Sequence, residues 1–333
     1  NFTSQPAKVE SVVNLPGNYD LEGIAINPQG GFWLVSEGAG SFGASGATKN
    51  LLLKVNADGT VAQTIELPAG LNSKQVQYGF EGVTTSSDGT FIYVALQREW
   101  TDDPAGLVKI GRYSVASGEW KFFHYPIETA PTGGWIGLSE LTRIDDVTFA
   151  VIERDNQLRK NARIKRIYKF SIAGLQPAGV GENLPVVTKT LVRDLLVQDN
   201  FLLEKAEGLT ITANGDMILA SDNDGVGETR VIRMPNDDYN IFLQDDQTGD
   251  QLRVNTRTGD FIFTRCRTGA SVSGRALIQQ VGCQIKLKSV KVAITINKCA
   301  GYSFGKAEVK LLQQGSRIDL EDRNVNDNVT ACR

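Results

Sequence analysis

Four glutamates recur at near-regular spacing. Glu22, Glu81, Glu140 and Glu207 lie 59, 59 and 67 residues apart, and a second acid follows each, at Glu37, Glu99, Glu153 and Asp222. Carboxylates brought together repel one another unless they are protonated, paired with Arg or Lys, or bridged by a cation. The chain has one histidine, His124. That excludes two- and three-His metal sites and makes any Ser-His-Asp or Cys-His mechanism depend wholly on that residue. An all-oxygen donor set points to Ca²⁺ or Mg²⁺, and Ca²⁺ tolerates an irregular multi-carboxylate site better. Asp222-Asn223-Asp224-Gly225, with Glu228, adds hard oxygens near the last repeat but lacks the full spacing of a calcium-binding loop. The expected cation ligands are therefore Glu22, Glu81, Glu140, Glu207, Asp222 and Asp224. The competing reading is that each glutamate caps turn amides or ties its neighbour through Arg and backbone N–H groups.

A basic run follows the third repeat: Arg154, Arg159, Lys160, Arg163, Lys165, Arg166 and Lys169. On a loop above converging carboxylates, Arg154 and Arg159 offer bidentate geometry for a phosphate; the alternative is a solvated loop that offsets the acids. His124, at an alternating position in Lys121-Phe-Phe-His-Tyr125, reads as a structural residue. Trp33, Trp100, Trp120 and Trp135 read as packing rather than as a ligand platform.

The elements that must position these groups are strands. The segments at Leu21–Glu37, Phe80–Leu96, Ser139–Glu153 and Ala206–Asp222 each run as a Glu, a short strand, a polar turn, an apolar strand and an acid. After the first three come further two-strand patterns: Leu51–Val55 with Val61–Leu67, Gly111–Val115 with Trp120–Tyr125, and Ile164–Ile172 with Val186–Leu195. Four short antiparallel strands per repeat, joined by Gly, Asn and Asp turns, predict a β-propeller blade. The fold expectation is all-β: a propeller with four visible repeats and an open blade count, followed by a small β-sandwich-like domain. The fourth repeat lacks a fourth strand, which Lys8–Leu15 could supply and so close the ring. In a propeller the first strand of each blade lines the channel, so the four glutamates would converge.

Composition agrees. The 333 residues are 41% hydrophobic and 22% charged, with 34 Gly and 2 Met, which excludes general disorder and favours many tight turns. Pro235–Tyr239 breaks the repeat pattern and sets the expected domains at 1–238 and 239–333. Residues 1–239 carry 21 Lys and Arg against 29 Asp and Glu, while residues 240–333 carry 14 against 9, so an acidic part precedes a basic one. Nothing in that balance points to nucleic acid. Cys266, Cys283, Cys299 and Cys332 all fall in the smaller part, without zinc-type spacing; two disulfides and an oxidising compartment are expected, with buried thiols as the alternative. No apolar run is long enough for a membrane span, and Asn1 with its polar sequel reads as a mature terminus.

The segments Leu21-Glu-Gly-Ile-Ala, Gly79-Phe-Glu-Gly-Val, Ile136-Gly-Leu-Ser-Glu-Leu and Glu207-Gly-Leu-Thr resemble the phytase-like, "esterase-like activity of phytase" family. So do their partners Gly31-Phe-Trp-Leu-Val-Ser-Glu, Asp88-Gly-Thr-Phe-Ile-Tyr-Val-Ala-Leu-Gln, Ala150-Val-Ile-Glu-Arg-Asp155 and Ala220-Ser-Asp-Asn-Asp224, in family order over about residues 10–235. The resemblance implies a propeller-like, secreted or periplasmic protein. It also implies phosphoester chemistry at Glu22, Glu81, Glu140, Glu153, Asp155, Glu207, Asp222 and Asp224, with Glu81, Glu140, Glu153 and Asp155 as the catalytic carboxyls. The chain departs from the pattern in having Glu140-Leu141 where the other repeats have Glu-Gly, and in starting too late for a blade-like unit that precedes the first Glu-Gly segment in family members. Residues 240–333 resemble a small module appended to some bacterial secreted proteins. Two functions follow as expectations: a Ca²⁺-dependent phosphoester hydrolase acting on a phosphorylated small molecule, or a non-catalytic extracellular protein that binds a partner or self-assembles through residues 239–333.

Overall fold

Alternation of apolar and polar residues, interrupted by Gly-containing turns, divides the chain into short strands that pair with their sequence neighbours. A computed structural model describes residues 11–322 except 200, 204, 213–214, 223–228, 235–240, 256–258, 282–283 and 298–304. The chain separates into two compact units between Arg233 and Met234.

In the first unit, β1 (Leu21–Ile26), β2 (Phe32–Ser36), β3 (Leu51–Val55) and β4 (Val61–Glu66) form one antiparallel sheet in sequence order. A second consists of β5 (Phe80–Thr85), β6 (Phe91–Leu96), β7 (Leu107–Ser114) and β8 (Trp120–Pro126). The third contains β9 (Ile136–Arg143), β10 (Thr148–Asp155), β11 (Lys165–Ser171) and β12 (Thr188–Asp194); the fourth contains β13 (Lys205–Ile211), β14 (Met217–Asp222) and β15 (Val231–Met234). The first strands of the sheets are neighbours in order, with β5 between β1 and β9, and β9 against β13.

The repeat spacing reappears as hydrogen bonds between sheets. Thr85 Oγ1 donates to Ile26 O at 3.4 Å, and Ser87 donates to Asp146 through its N–H (2.7 Å) and its hydroxyl (2.5 Å), each across 59 residues. Ser139 Oγ reaches Ala206 O and Thr142 Oγ1 reaches Leu209 O, both at 2.6 Å across 67 residues. Equivalent positions of successive sheets thus touch, as blades do. Between the sheets lies one apolar core that includes Trp33, Phe80, Val94, Phe122, Phe149 and Phe170.

The arrangement is propeller-like, and no closed sheet is formed among the described residues. Of the expected closing strand, Lys8–Glu10 lie outside the described residues and 11–15 form no strand. Leu15 and Tyr19 pack instead against Leu34, Leu53 and Val55 of the first sheet, where burial of their apolar surface is available. Among the described residues, the long connections add no further sheet. Ala69–Asn72 is a single helical turn, and Ala178 and Val186 make isolated bridges to Phe122 and His124 of β8.

The second unit has two antiparallel sheets. One comprises β16 (Ile241–Gln244), β17 (Gln251–Val254), β18 (Asp260–Thr264) and β19 (Ser271–Arg275). The other comprises β20 (Leu277–Val281), β21 (Gln284–Lys288), β22 (Val292–Asn297), β23 (Gly305–Leu311) and β24 (Ser316–Asp322). Leu252, Phe261 and Phe263 of one sheet and Leu287, Ile294 and Val309 of the other belong to a single core. Cys266, in the turn after β18, is not a free cysteine; Cys283, Cys299 and Cys332 lie outside the described residues.

Candidate active site in a carboxylate-lined cavity

The Glu-Gly motif works through a β-bulge. Along β1, Leu21 pairs with Ser36 and Gly23 with Val35, which leaves Glu22 as the extra residue; β13 repeats this with Glu207 between Ala206 and Gly208. In β5 the register slips between Phe80 and Val83, across Glu81 and Gly82. A bulge re-aims the side chain it carries. The following glycine admits the neighbouring backbone: a Cβ on Gly23 would lie 2.5 Å from Glu81 O, and one on Gly82 would lie 2.2 Å from Leu141 N.

The third sheet is shifted by one position. Leu138 pairs with Glu153 and Glu140 with Ile152, so Ser139 is the bulged residue and Glu140 stands where the other sheets have glycine. The partner strand shifts with it. The residues that follow the bulge partner are Glu37, Gln97, Arg154 and Asp222, not Glu37, Glu99, Glu153 and Asp222.

These positions enclose a cavity of about 620 Å³ lined by Asp20, Leu21, Glu22, Glu37, Tyr78, Glu81, Gln97, Trp135, Arg154, Lys205, Glu207 and Asp222. Six carboxyls face two cationic side chains. On one side, ligand oxygens of Asp20, Glu22 and Glu37 all lie within 4.8 Å of one another. On the other, the buried Arg154 donates from Nη2 to Glu207 Oε1 at 2.5 Å, and Gln97 Nε2 donates to Glu81 Oε1. Lys205 contacts Asp222 at 3.3 Å, and Glu37 accepts the Gly79 N–H at 2.7 Å. Tyr78, next to that glycine, is held at φ +74°, a conformation costly for a residue with a Cβ.

Burial and crowding raise four of these acids, Glu22, Glu37, Glu81 and Glu207, above the ordinary carboxylate range. Although part of Glu22 reaches solvent, loss of hydration in the cavity pushes its carboxyl up to about 7, and Asp20, Glu37 and Glu207 push the same way. Glu81 is raised well above the ordinary range, first by burial and then by Glu207, Glu22 and Glu37. Burial also raises Glu37 and Glu207, the latter against the pull of Arg154. Three buried polar atoms at the site have no hydrogen-bond partner: Gln97 Oε1, Arg154 Nε and Glu207 Oε2. The sequence profile of the family described as "Phytase-like: Esterase-like activity of phytase" matches residues 7–225, most of the chain and all of this cavity. The chain belongs to the phytase-like family.

A search of curated proteins finds no significant match. Among solved structures, the chain is similar to the periplasmic gluconolactonase of Pseudomonas aeruginosa, with 11% identity, 93% of this chain and 88% of that one covered, and a TM-score of 0.32. It is similar also to an oligogalacturonate lyase in complex with manganese, with 12% identity, 95% and 80% covered, and a TM-score of 0.32.

Of the positions expected from the sequence of this phytase-like chain, Glu22, Glu81, Glu207, Asp222 and Arg154 come together in the cavity. Glu140, Glu153, Asp155 and Arg159 do not line it. Glu140 accepts N–H groups of Leu141 (2.7 Å) and Leu209 (3.4 Å), and burial pushes it up to about 8. Glu153, fully buried, accepts from Tyr125 OH at 2.9 Å and Lys189 Nζ at 2.7 Å. Asp155 pairs at 2.9 Å with Lys165, both side chains sealed from solvent, and accepts the N–H groups of Arg163 and Ile164. Arg159 stands at φ +53° on a short 3₁₀ turn (Arg159–Asn161), its N–H bonded to Leu202 O. Glu99 accepts the Gly106 N–H at 3.0 Å. Asp224 and Glu228 lie outside the described residues.

The rest of the basic run is spread over separate partners, because neighbouring residues of β10 and β11 point to opposite faces: Lys165 to Asp155, Arg166 to Asp194 and Glu128. His124 is buried and bonded to Asp103 at 2.9 Å. Sequence reasoning missed Asp20, Tyr78, Gln97 and Lys205 as site residues, and read Trp135, which lines the cavity, only as packing. A signal for Gln97 was present: aligning Phe32, Ile92, Phe149 and Met217 without gaps places Glu37, Gln97, Arg154 and Asp222 in one column.

Proposed function

We propose that this phytase-like chain is a phosphoester hydrolase that works with a divalent cation, Ca²⁺ by preference, in an extracellular or periplasmic setting. The observation that carries the reading is the division of the cavity into a group of three carboxylates, Asp20, Glu22 and Glu37, and a side where the cations Arg154 and Lys205 stand paired with Glu207 and Asp222. The donor set fits the ion: hard oxygens only, within 4.8 Å of one another, with Glu22 and Glu37 raised by burial and by their neighbours' charge. When bound, such a cation supplies positive charge that polarises a phosphoryl oxygen and acidifies water.

The chain's own residues do the rest. Asp20, Glu22 and Glu37 hold the ion. Arg154 presents guanidinium donors to the remaining phosphoryl oxygens, and Lys205 adds positive charge near them. Glu81, whose burial favours the protonated carboxyl, donates its proton to the leaving alcohol oxygen as water adds to phosphorus and the P–O bond breaks, and takes up the proton that the water loses, so the alcohol departs neutral and the carboxyl is restored. Cys266 and the other three cysteines form two disulfides in the second unit, which suits an oxidising compartment.

The test is phosphate release from a panel of phosphomonoesters and phosphodiesters with Ca²⁺, Mg²⁺ or Mn²⁺ and with a chelator. Release should require the metal, and Glu81→Gln should lower kcat by about 10²–10⁴-fold while leaving the fold intact. No release from any ester with any of the three ions sinks the reading.

A further inference from the structure

The second unit carries a charge pattern that the cavity does not use. Residues 261–307 hold eight Lys and Arg and no Asp or Glu. The pairing of the five-stranded sheet shows where part of this charge goes. Alternation turns Ile278, Leu287, Ile294, Val309 and Ile318 to the core as one row across all five strands. The adjacent row therefore lies on the outer face: Leu277, Lys288, Ala293, Lys310 and Arg317.

That row is the last before one end of the sheet. β21 and β23 run in the same direction, so the turns after them, 289–291 and 312–315, stand side by side, joined by the Leu312 N–H to Lys291 O at 2.9 Å. β20 starts at the same end, because Leu277 faces Lys288. Three apolar side chains collect there in solvent: Leu277 is 83% exposed, Val290 85% and Leu312 47%. Neither turn contains an acid. The first turn is fixed, since Ser289 Oγ accepts the N–H groups of Lys291 (3.2 Å) and Val292 (3.1 Å), which leaves Val290 at its apex.

The cations behind this apolar tip divide into two sets. Lys310 and Arg317 are offset by Glu308, at 2.9 and 2.7 Å, and Lys306 lies 3.4 Å from Glu321, further from the tip. Lys286, Lys288 and Lys291 are exposed and make no ion pair among the described residues. A soluble polyanion would engage these lysines and leave Val290 and Leu312 in water. An apolar groove of another protein would cover the valine and leucines and leave the lysines without countercharge. A bilayer with anionic headgroups meets both demands, with the apolar side chains at the boundary of headgroups and acyl chains and the ammonium groups at the phosphates.

We propose that this end of the second unit, Leu277, Val290 and Leu312 with Lys286, Lys288 and Lys291, docks on an anionic lipid bilayer. The proposal rests on the second unit alone and is independent of the hydrolase reading.

The full chain is mixed with vesicles of phosphatidylcholine, alone or with about one third phosphatidylglycerol, and bound protein is measured by flotation. Partition should be at least tenfold stronger on the anionic vesicles and should weaken as salt is raised, because the ammonium groups are exposed. The double variants Lys288→Glu with Lys291→Glu and Val290→Asp with Leu312→Asp should each lower it tenfold or more. Lys74→Glu with Lys121→Glu, the same charge change at exposed positions of the first unit, should stay within about twofold of wild type. On the wild-type protein alone, hydrogen–deuterium exchange should slow at residues 286–292 and 310–316 with anionic vesicles and not with neutral ones, a readout that needs no variant to fold. Equal binding to both vesicles, binding to neither, wild-type binding by both folded tip variants, or an equal loss in the first-unit variant overturns the proposal. So does self-association that Val290→Asp with Leu312→Asp abolishes without any vesicle binding, which would assign the surface to a second copy of the chain. Binding of dextran sulfate without vesicle binding overturns it too, and would assign the lysines to a soluble polyanion.

Discussion

Glu140 shows how much one position decides in this protein. It belongs to the same sequence repeat as Glu22, Glu81 and Glu207, yet its carboxyl is spent on the N–H groups of Leu141 and Leu209, outside the cavity. Burial raises it from 4.5 to about 8, so the folded state binds its proton more tightly than the unfolded chain does. Its contribution is fully present below about 4.5 and is lost as pH rises through about 8. In chelator, thermal stability should therefore fall between those limits, and Glu140→Gln should flatten that fall, as scanning fluorimetry across the range would reveal. Asp155 is the opposite case: with Lys165 it forms a sealed ion pair. Lys165→Met leaves a buried carboxylate without its counterion, which costs about 3–5 kcal/mol. Chemical denaturation would measure this, and turnover per folded molecule should stay near wild type. A loss of turnover without a loss of stability would instead return Asp155 to the chemistry.

At the level of elements, the Glu-Gly pair couples two demands in one bulge. The extra residue throws its side chain into the cavity, and the glycine lets the next sheet's first strand approach. The cost of adding a methyl group at the glycine should follow the space there. Gly82→Ala would drive a Cβ to within 2.2 Å of Leu141 N, backbone that is itself held in β9, and should destabilise by about 3 kcal/mol. Gly208→Ala occupies the same motif position but among the described residues meets only the Ala220 Cβ at 3.3 Å, and should cost far less. Urea midpoints of the two variants decide the matter, and equal losses would mean that close approach is not what the motif serves. The strands, their turns and their order were legible from the sequence because they depend on local alternation. The bulge in β9 was not, since it moves every later side chain to the other face without changing the composition.

Across the whole molecule, two cores share no residue. One lies among the first four sheets and one between the two sheets after Met234. A unit with a core of its own can unfold as its own cooperative step, so calorimetry should resolve two transitions. Ca²⁺ at the Asp20, Glu22 and Glu37 group should raise the transition of the first unit alone, because an ion that binds only the folded form stabilises it. A reductant should lower the other transition, by the few kcal/mol that disulfides give a unit of this size. A calcium-sensitive second unit, or one indifferent to reductant, would contradict the corresponding part of the proposed function.

The sequence by itself determined the β-rich class, the repeat of 59 to 67 residues, the glutamates carried on the first strand of four sheets, and the phytase-like family. Those features follow from local alternation, turn chemistry and spacing, which survive in one dimension. Only the tertiary structure decided which groups share the cavity. It admitted Asp20, Gln97, Tyr78, Trp135 and Lys205, kept Arg154, and turned away Glu140, Glu153 and Asp155. The physical reason is that a side chain's face depends on strand register. A one-residue bulge in the third sheet exchanged a glutamate for a serine and placed an arginine where the flanking repeats suggested an acid.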